Sequence, residues 1–383
     1  MPLFAFGSNG SGQLGIGHVD DVSEPTRCVF EEEEPNPTSQ SGKTIVRVAA
    51  GGNHTLVLHS DGAVYAAGCN EDRRCGASFS SDAQVRFRRL IIVEDEVSGQ
   101  TYRVFKHVAA TWEGTILVVG AESARGGGYE NDDAHDKVFV VGSGAKGELG
   151  LGEECTRAST PVQIPDFPPL GTKIDAIASG MGHAVVVLSN GDVYGWGGAR
   201  KGQLGDYAKA GKIAWSPVKI EGLNFRATDA ACGREFTVLT GDKATGQFVV
   251  LGSCDNKWNI LSSAPASDHV MGFRGIAASW HGVYVHQVDF SVVAWGRNDR
   301  GQLPPANIPK ARELAVGSEH ALVLVDGRTV VAFGWGEHGN CGPVTDAHGN
   351  VKEDYRLIPL PSEAGSEIVG VGAGCATSWI VMS

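Results

Sequence analysis

The stretch FAFGSNGSGQLGIG, from Phe4 to Gly17, decides the fold because versions of it recur along the whole chain. Each version is a short apolar run that ends in Gly and continues into polar residues, often Gly-Gln-Leu-Gly. The seven Gly residues that end these runs are Gly7, Gly68, Gly142, Gly197, Gly252, Gly296 and Gly334. Their spacings run from 38 to 74 residues, which is the signature of a repeat architecture.

A second phrase alternates with the first and consists of two apolar runs around a tight loop. VAAGGNHTLVL, which begins at Val48, is its clearest copy. The other six copies begin at Val108, Ile177, Ala230, Ile276, Leu314 and Val369. Short β-branched and aromatic runs between Gly-rich turns predict strands. Seven paired phrases therefore predict an all-β fold, a seven-bladed β-propeller whose radial repetition protects the sheet edges.

The order of the two phrases at the chain ends predicts how the ring closes. The chain starts with the first phrase and stops after the seventh copy of the second, so one blade combines both ends. We expect residues 366–383 and 1–30 to build it, with Leu3 to Phe6 beside Ser378 to Met382. This pairing would leave no open sheet edge. We interpret the repeated Gly residues as positions that need positive φ or close approach between blades.

Three insertions interrupt this single predicted domain, which spans residues 1–383. They lie at residues 31–43, 73–103 and 121–137. The first is acidic and contains Pro, as is typical of a solvated loop, and the third is Gly-rich and charged. The second contains an apolar strand flanked by Arg86, Arg88 and Arg89. We interpret these arginines as gatekeepers against aggregation, with contact to tRNA or an acidic protein as the alternative.

Composition excludes several classes of protein. No apolar run reaches 18 residues, which excludes a membrane helix, and MPLFAFGSNG lacks the features of a secretory signal. A net charge of −12 argues against direct binding of DNA. The eight cysteines form no C-x-x-C pair, so we expect free thiols in a reducing compartment. The expected location is the cytoplasm, with the nucleus as the alternative.

Motifs for catalysis are missing from the sequence. It contains no P-loop, no dinucleotide fingerprint, no H-E-x-x-H and no G-x-S-x-G. The Gly-x-x-His pattern recurs at His54, His183 and His320. Because it repeats blade by blade, we interpret these histidines as structural, with a metal or catalytic role as the weaker alternative. The sequence predicts no catalytic residue, metal site or cofactor.

Two copies of the second phrase depart from Gly-x-x-His in the same way. Trp112-Glu113-Gly114 and Trp280-His281-Gly282 stand in its place. A Trp at an exposed loop tip is costly unless something covers it, and Trp is enriched at binding hot spots. Each Trp either fills a gap between blades or binds a partner, and the partner-binding hypothesis is stronger for Trp280 and His281 than for Trp112 and Glu113. The neighbouring loop tips that complete the predicted rim carry Asn53, Met181, Arg234, Glu235 and Glu319.

Four other tryptophans belong to the repeat strands. Trp196 and Trp295 each precede a repeated Gly, and Trp379 lies in the predicted closing strand. We expect these three to pack in the core. Trp335 follows its repeated Gly, so its sequence position indicates core packing less clearly.

The phrases GSNGSGQLG, at residues 7–15, and AGGNHTLVL, at residues 50–58, resemble the regulator-of-chromosome-condensation repeat family. The resemblance covers the whole chain and implies a seven-bladed propeller. The opening as far as His18, together with the chain length, is similar to one fungal branch, the alpha-tubulin suppressors linked to killer-toxin insensitivity. That similarity implies a non-enzymatic protein that forms a heterodimer with a small CSL-type zinc- and iron-binding protein. It implies a role in diphthamide synthesis on elongation factor two and in Elongator-dependent modification of tRNA wobble uridines, with those enzymes reached through the partner.

Two other functions remain open from the sequence. The family resemblance also implies guanine-nucleotide exchange on a Ran-like GTPase. A scaffold in a tubulin or ubiquitin pathway is the third reading, because one fold supports many functions.

Overall fold

The structure, a computed structural model, describes residues 1–31, 43–76, 82–93, 101–121, 135–255, 257–361 and 366–383. Within these ranges it contains 28 strands, β1 to β28, and one seven-residue helix, α1 (Gly205–Gly211). Two 3₁₀ turns lie at Lys243–Thr245 and Ser267–Val270. No helix in the described ranges has the length and apolar character needed to cross a membrane.

Twenty-six of these strands form seven antiparallel sheets, or blades, each running outward from an innermost strand, and the other two form a separate hairpin. Blade 1 contains β3 (Ile45–Ala50), β4 (His54–His59), β5 (Val64–Cys69) and β6 (Ala83–Arg89). Blade 2 contains β9 (His107–Ala110), β10 (Gly114–Val119), β11 (Lys137–Ser143) and β12 (Arg157–Gln163). Blade 3 contains β13 (Ile174–Ser179), β14 (His183–Leu188), β15 (Val193–Gly198) and β16 (Ile213–Lys219).

Blades 4 and 5 have three strands each among the described residues. Blade 4 contains β17 (Asp229–Cys232), β18 (Thr237–Thr240) and β19 (Phe248–Leu251), and blade 5 contains β20 (Phe273–Ala278), β21 (Gly282–Gln287) and β22 (Val292–Gly296). Blade 6 contains β23 (Glu313–Val316), β24 (His320–Asp326), β25 (Thr329–Trp335) and β26 (Asn350–Leu357). Blade 7 contains β27 (Ile368–Ala373), β28 (Thr377–Met382), β1 (Leu3–Gly7) and β2 (Val22–Arg27).

The innermost strands close a ring. Each contacts the innermost strand of the next blade, from β3 through β9, β13, β17, β20, β23 and β27 and back to β3. The predicted seven-bladed propeller is therefore confirmed.

Strands from the two ends of the chain close blade 7. β1 pairs with β28 in antiparallel register, with Leu3 opposite Val381 and Gly7 opposite Thr377. The Met382 N–H also donates a hydrogen bond to the Pro2 carbonyl, at 3.0 Å. This confirms the predicted pairing, which places both chain ends in one sheet.

The core lies between the blades, where residues of the middle strands face their neighbours. Trp196 and Trp379 are fully buried, and Trp295 is 7% exposed, so the prediction of core positions for these three is confirmed. The indole N–H of Trp196 donates to the Glu148 carbonyl of blade 2 at 2.9 Å. Trp335 is only half-buried.

The repeated Gly residues are required by backbone geometry. Six of the seven, all but Gly252, have φ between +101° and +123°. At Gly68 (φ +114°) a Cβ atom would overlap the Asn53 carbonyl oxygen, which accepts the Cys69 N–H at 2.7 Å. Both predicted reasons for Gly, positive φ and close approach, apply at this position.

Most of the predicted loop insertions lie outside the described residues, namely at 32–42, 77–81, 94–100 and 122–134. Within the second insertion the structure describes β6 and a small hairpin of β7 (Ile92–Val93) and β8 (Thr101–Tyr102). Arg88, on β6, forms an ion pair with Glu31 at 2.6 Å.

Candidate interaction face

One end of the propeller carries two sets of loops. Because the strands alternate in direction, the loops after the first and third strands of every blade lie at the same end. We call this end the upper face. The inner set consists of seven tight loops, each closed by an N–H···O bond of 2.9 Å between its first and fourth residues. Those loops begin at Gly51, Thr111, Gly180, Gly233, Ser279, Gly317 and Gly374.

Hydrogen bonds between blades link these tight loops into two runs, one over blades 1 to 3 and one over blades 4 to 7, and we call the two runs together the collar. In each link, the backbone N–H of the second residue in one tight loop donates to a carbonyl in the tight loop of the next blade, at 2.9 to 3.0 Å. The donor and acceptor pairs are Gly52 and Trp112, Trp112 and Met181, Arg234 and Trp280, Trp280 and Ser318, and Ser318 and Gly374. The backbone of the collar is thereby held rigid, and a partner can meet a preformed surface.

The Gly-x-x-His histidines also join adjacent blades. The Nε2 atoms of His54, His183 and His320 lie 2.9 to 3.0 Å from hydroxyls of Thr115, Thr237 and Ser378, each on the next blade. Thr115 Oγ1 donates to the Arg74 carbonyl at 2.7 Å, so it accepts a hydrogen bond from His54 Nε2–H. Burial lowers the pKa of His54 to about 3 and that of His183 and His320 to about 4. These contacts agree with the predicted structural role, because each buried histidine joins its blade to a side-chain hydroxyl of the next one.

Trp112 and Trp280 meet over the central channel. The inner strands enclose a cavity of about 280 Å³ lined mainly by small residues, and both tryptophans reach its upper end. They come from blades 2 and 5, nearly opposite each other, and their ring centroids are 5.9 Å apart. The Arg234 guanidinium lies 5.5 Å from the Trp280 ring. Both indoles are half-buried, so each keeps exposed apolar surface at the centre of the face.

The buried carboxylate of Glu319 holds His281, the residue next to Trp280. Glu319, whose side chain is 5% exposed, accepts from His281 Nδ1 at 3.2 Å and from Arg297 at 2.8 Å. Gln302 donates to its second oxygen at 2.8 Å. Burial alone would raise the pKa of Glu319, but the hydrogen bonds from His281 and Gln302 and the charge of Arg297 lower it overall. Since Nδ1 is occupied, His281 has Nε2 left for other contacts.

All nine residues predicted for the rim lie in the tight loops of the upper face. Asn53, Glu113, Arg234 and Glu235 are exposed, and Met181, Trp112, Trp280 and His281 are half-buried. Glu319 differs from the expectation, because its buried carboxylate supports the surface and is not part of it. Contact of the other eight with a partner stays a prediction.

The structure adds residues that sequence reasoning missed. Trp258 lies 6.2 Å from the His281 ring, and the Arg297 guanidinium lies 5.0 Å from the Trp258 ring. Trp258 belongs to the degenerate repeat after Gly252, where no motif marks its position. For Arg297, the one signal in the sequence is that an Arg directly follows the repeated Gly296.

The described residues contain no group of three or more His, Cys, Asp or Glu side chains able to hold a metal ion. All eight cysteines are free, and burial raises the pKa of Cys232 to about 12 and of Cys375 to about 11. The thiols of Cys232 and Cys375 are therefore protonated at neutral pH.

The propeller and its rigid collar of loops define a protein-interaction module. The chain belongs to the RCC1-like domain family, whose profile matches residues 2–380. An RCC1 repeat-containing protein of Schizosaccharomyces pombe is 29% identical, over 99% of this chain and 98% of the relative. The mouse secretion-regulating guanine nucleotide exchange factor is 27% identical, over 97% of this chain and 82% of the relative.

Solved structures share the fold. Prp20p of Saccharomyces cerevisiae, studied for its binding to Gsp1p and histones, superposes with a TM-score of 0.74 at 20% identity, over 99% of this chain and 90% of that one. Human WBSCR16 gives the same TM-score at 17% identity, over the full length of both chains. At these identities the likeness concerns the fold alone.

Proposed function

We propose that this protein is a non-enzymatic adapter that binds a small CSL-type zinc- and iron-binding protein through the centre of its upper face. Through that heterodimer it supports diphthamide synthesis on elongation factor two and Elongator-dependent modification of tRNA wobble uridines. The partner reading rests on the resemblance of the opening sequence to one fungal branch of the family. The observation that carries the site is the Trp112–Trp280 pair with its exposed apolar surface, flanked by His281 on a buried carboxylate.

The proposed site has the composition of a binding hot spot. Trp and Arg dominate such sites, where a few side chains carry most of the binding energy. The collar fixes the backbone of both tryptophans, so little conformational entropy is lost on binding. An apolar centre with a polar rim is the usual anatomy of a protein interface.

The test is calorimetric titration of the purified protein with the metal-loaded CSL-type partner. We expect one-to-one binding, and a Trp280→Ala, His281→Ala double variant should weaken it by at least about 30-fold, equivalent to about 2 kcal/mol. Phe290→Ala, which truncates a partly exposed aromatic at the opposite end of blade 5, is the matched control. Unchanged binding by the folded double variant would refute the site assignment.

Guanine-nucleotide exchange on a Ran-like GTPase is the second candidate. It is supported by the relatives named as exchange factors, in mouse and, at 23% identity, in Saccharomyces cerevisiae. Release of a fluorescent guanine nucleotide from purified Ran distinguishes the two. Acceleration by this protein, with no binding of the CSL-type partner, would favour exchange.

A further inference from the structure

Positive charge is concentrated on one sector of the upper face, although the chain carries a net charge of −12. The loops after the third strands of blades 3, 4 and 5 span residues 199–212, 252–260 and 297–303. They contain seven Lys or Arg residues and three carboxylates. The corresponding loops of blades 1 and 2, at residues 70–76 and 144–156, contain three cations and five carboxylates. The upper face therefore has a net positive side over blades 3 to 5 and a net negative side over blades 1 and 2.

Within the part of the chain that the structure describes, most of these cations have no ion-pair partner. Arg297 is paired with Glu319 and Asp299, at 2.8 and 2.6 Å. The six that form no ion pair with a described carboxylate are Arg200, Lys201, Lys209, Lys212, Lys257 and Arg300. We call these six residues together with Trp258 the basic sector.

Direct contacts make this surface continuous. The backbone of Gly202 in blade 3 lies against Gly252 of blade 4 and beside the side chain of Lys209. Blade 4 is joined to blade 5 by the Trp295 indole, which donates to the Ile260 carbonyl at 2.8 Å. Lys257 Nζ lies 4.5 Å from the Trp258 ring, which approaches His281. The basic sector thus runs from the outer rim of blade 3 to the Trp280 centre.

The chemistry of the sector favours an acidic protein over a nucleic acid. Single strands bind where bases can stack on free aromatic faces. The Trp258 ring already carries two cations, Lys257 at 4.5 Å and Arg297 at 5.0 Å. Carboxylates at Asp206, Asp255 and Asp299 interrupt the cations, and they would repel a continuous phosphate backbone. Separated carboxylates on a folded partner can match such a mixed pattern.

We propose that the basic sector is the electrostatic docking surface for an acidic protein, and that it steers this partner onto the Trp280 centre. The partner's acidic side faces blades 3 to 5, while blades 1 and 2 repel it. The proposal rests on the proposed function for the location of the centre and for the first probe.

The test measures the association rate of the metal-loaded CSL-type protein by stopped-flow, at 50 and 300 mM salt. A Lys201→Glu, Lys209→Glu, Lys257→Glu variant should associate about tenfold more slowly at low salt and lose most of its salt dependence. The matched control reverses three charges on the other side of the same face, Glu71→Lys, Glu153→Lys and Glu154→Lys. It should associate as fast as wild type or faster. Equal effects of the two triple variants, or none from the first, would overturn the proposal.

Failure of the proposed function is separable from failure of this inference. If the CSL-type protein does not bind the wild-type chain, the proposed function fails and two generic probes decide. They are fluorescein-labelled 12-mers, one a peptide of alternating Glu and Leu and one a single-stranded RNA. The docking proposal expects salt-dependent binding of the peptide that the first triple variant weakens about tenfold. Peptide binding that ignores this variant, or tighter binding of the RNA, would contradict it.

Discussion

At the scale of single residues, three histidines make the stability of the ring depend on pH. His54, His183 and His320 are buried, and each is hydrogen-bonded through Nε2 to a hydroxyl of the next blade. Burial lowers their pKa values to between about 3 and about 4, whereas an unfolded His titrates near 6.5. Between these values the unfolded chain binds more protons than the native one. The histidines therefore stabilise the fold fully above about pH 6.5, and their contribution declines as the pH falls toward 4.

Replacing His183 by Gln tests this dependence. Unfolding of the variant should take up one proton fewer than unfolding of the wild type, so that its unfolding free energy changes less steeply between pH 6.5 and 4. Near the middle of that window the slope should fall by about 1.4 kcal/mol per pH unit. Urea unfolding at several pH values gives the slope, and His348→Gln, which alters an exposed His, is the control. An unchanged slope in His183→Gln would mean that His183 is not held neutral by the fold.

Residues that recur at a fixed place in several repeats can be predicted from the sequence better than contacts between neighbouring blades can. The histidines and the Gly at position 68 recur at fixed places, so one backbone requirement explains each set. The direction of Glu319 could not be predicted, because it turns sideways to reach His281 and Arg297 on blade 5. A tight loop fixes the backbone of Glu319, but the neighbouring blade decides where its side chain points.

At the scale of elements, β28, which closes the ring, is the strand whose loss should destabilise the fold most. β28 lies between β1 and β27, so it forms the hydrogen bonds of two strand pairs. Its side chains are buried throughout, including those of Trp379 and Ile380. No other blade depends on strands from both ends of the chain.

Deleting residues 376–383 should therefore open the ring. β27 would lose its only partner and β1 one of its two, so two buried edges would be exposed and gross destabilisation should follow. Thermal unfolding measures the loss, and hydrogen exchange should show that β1 has lost protection. Deletion of Ser383 alone, which leaves β28 intact, is the control. A truncated protein with the melting temperature of the full chain would contradict the role of the closing strand.

The number of strands in a blade was only partly readable from the sequence. The spacings after Gly252 and Gly296 are 44 and 38 residues, the two shortest, and these are the blades that have three strands among the described residues. In the five complete blades the residue after the fourth strand donates to the carbonyl of the third, as Ile220 does to Val193 at 2.8 Å. The segment after Gly296 contains Pro304, Pro305 and Pro309, which cannot donate to a neighbouring strand. Chain length and Pro together explain the missing strands.

At the scale of the whole molecule, the repeats determine the ring, and the differences between repeats determine the face. Seven similar phrases predicted the number of blades and the closure. The meeting of Trp112 with Trp280 was not predictable, because it depends on two loops three blades apart that come together only when the ring is complete. The basic sector is likewise a property of adjacent loops that are far apart in sequence.

The Trp pair provides a test of how the closed ring produces its binding centre. A double-mutant cycle of Trp112→Ala and Trp280→Ala should give a coupling of about 0.5–1.5 kcal/mol in the free energy of unfolding, because the rings contact each other across the channel. For binding of the CSL-type partner, Trp280→Ala should cost more than Trp112→Ala, because His281 and Trp258 lie beside Trp280. The two binding losses should also be less than additive, since removing either ring leaves the other without its support. Strict additivity in both unfolding and binding would mean that each Trp acts within its own blade. The centre of the face would then be a set of separate loops, and ring closure would contribute only stability.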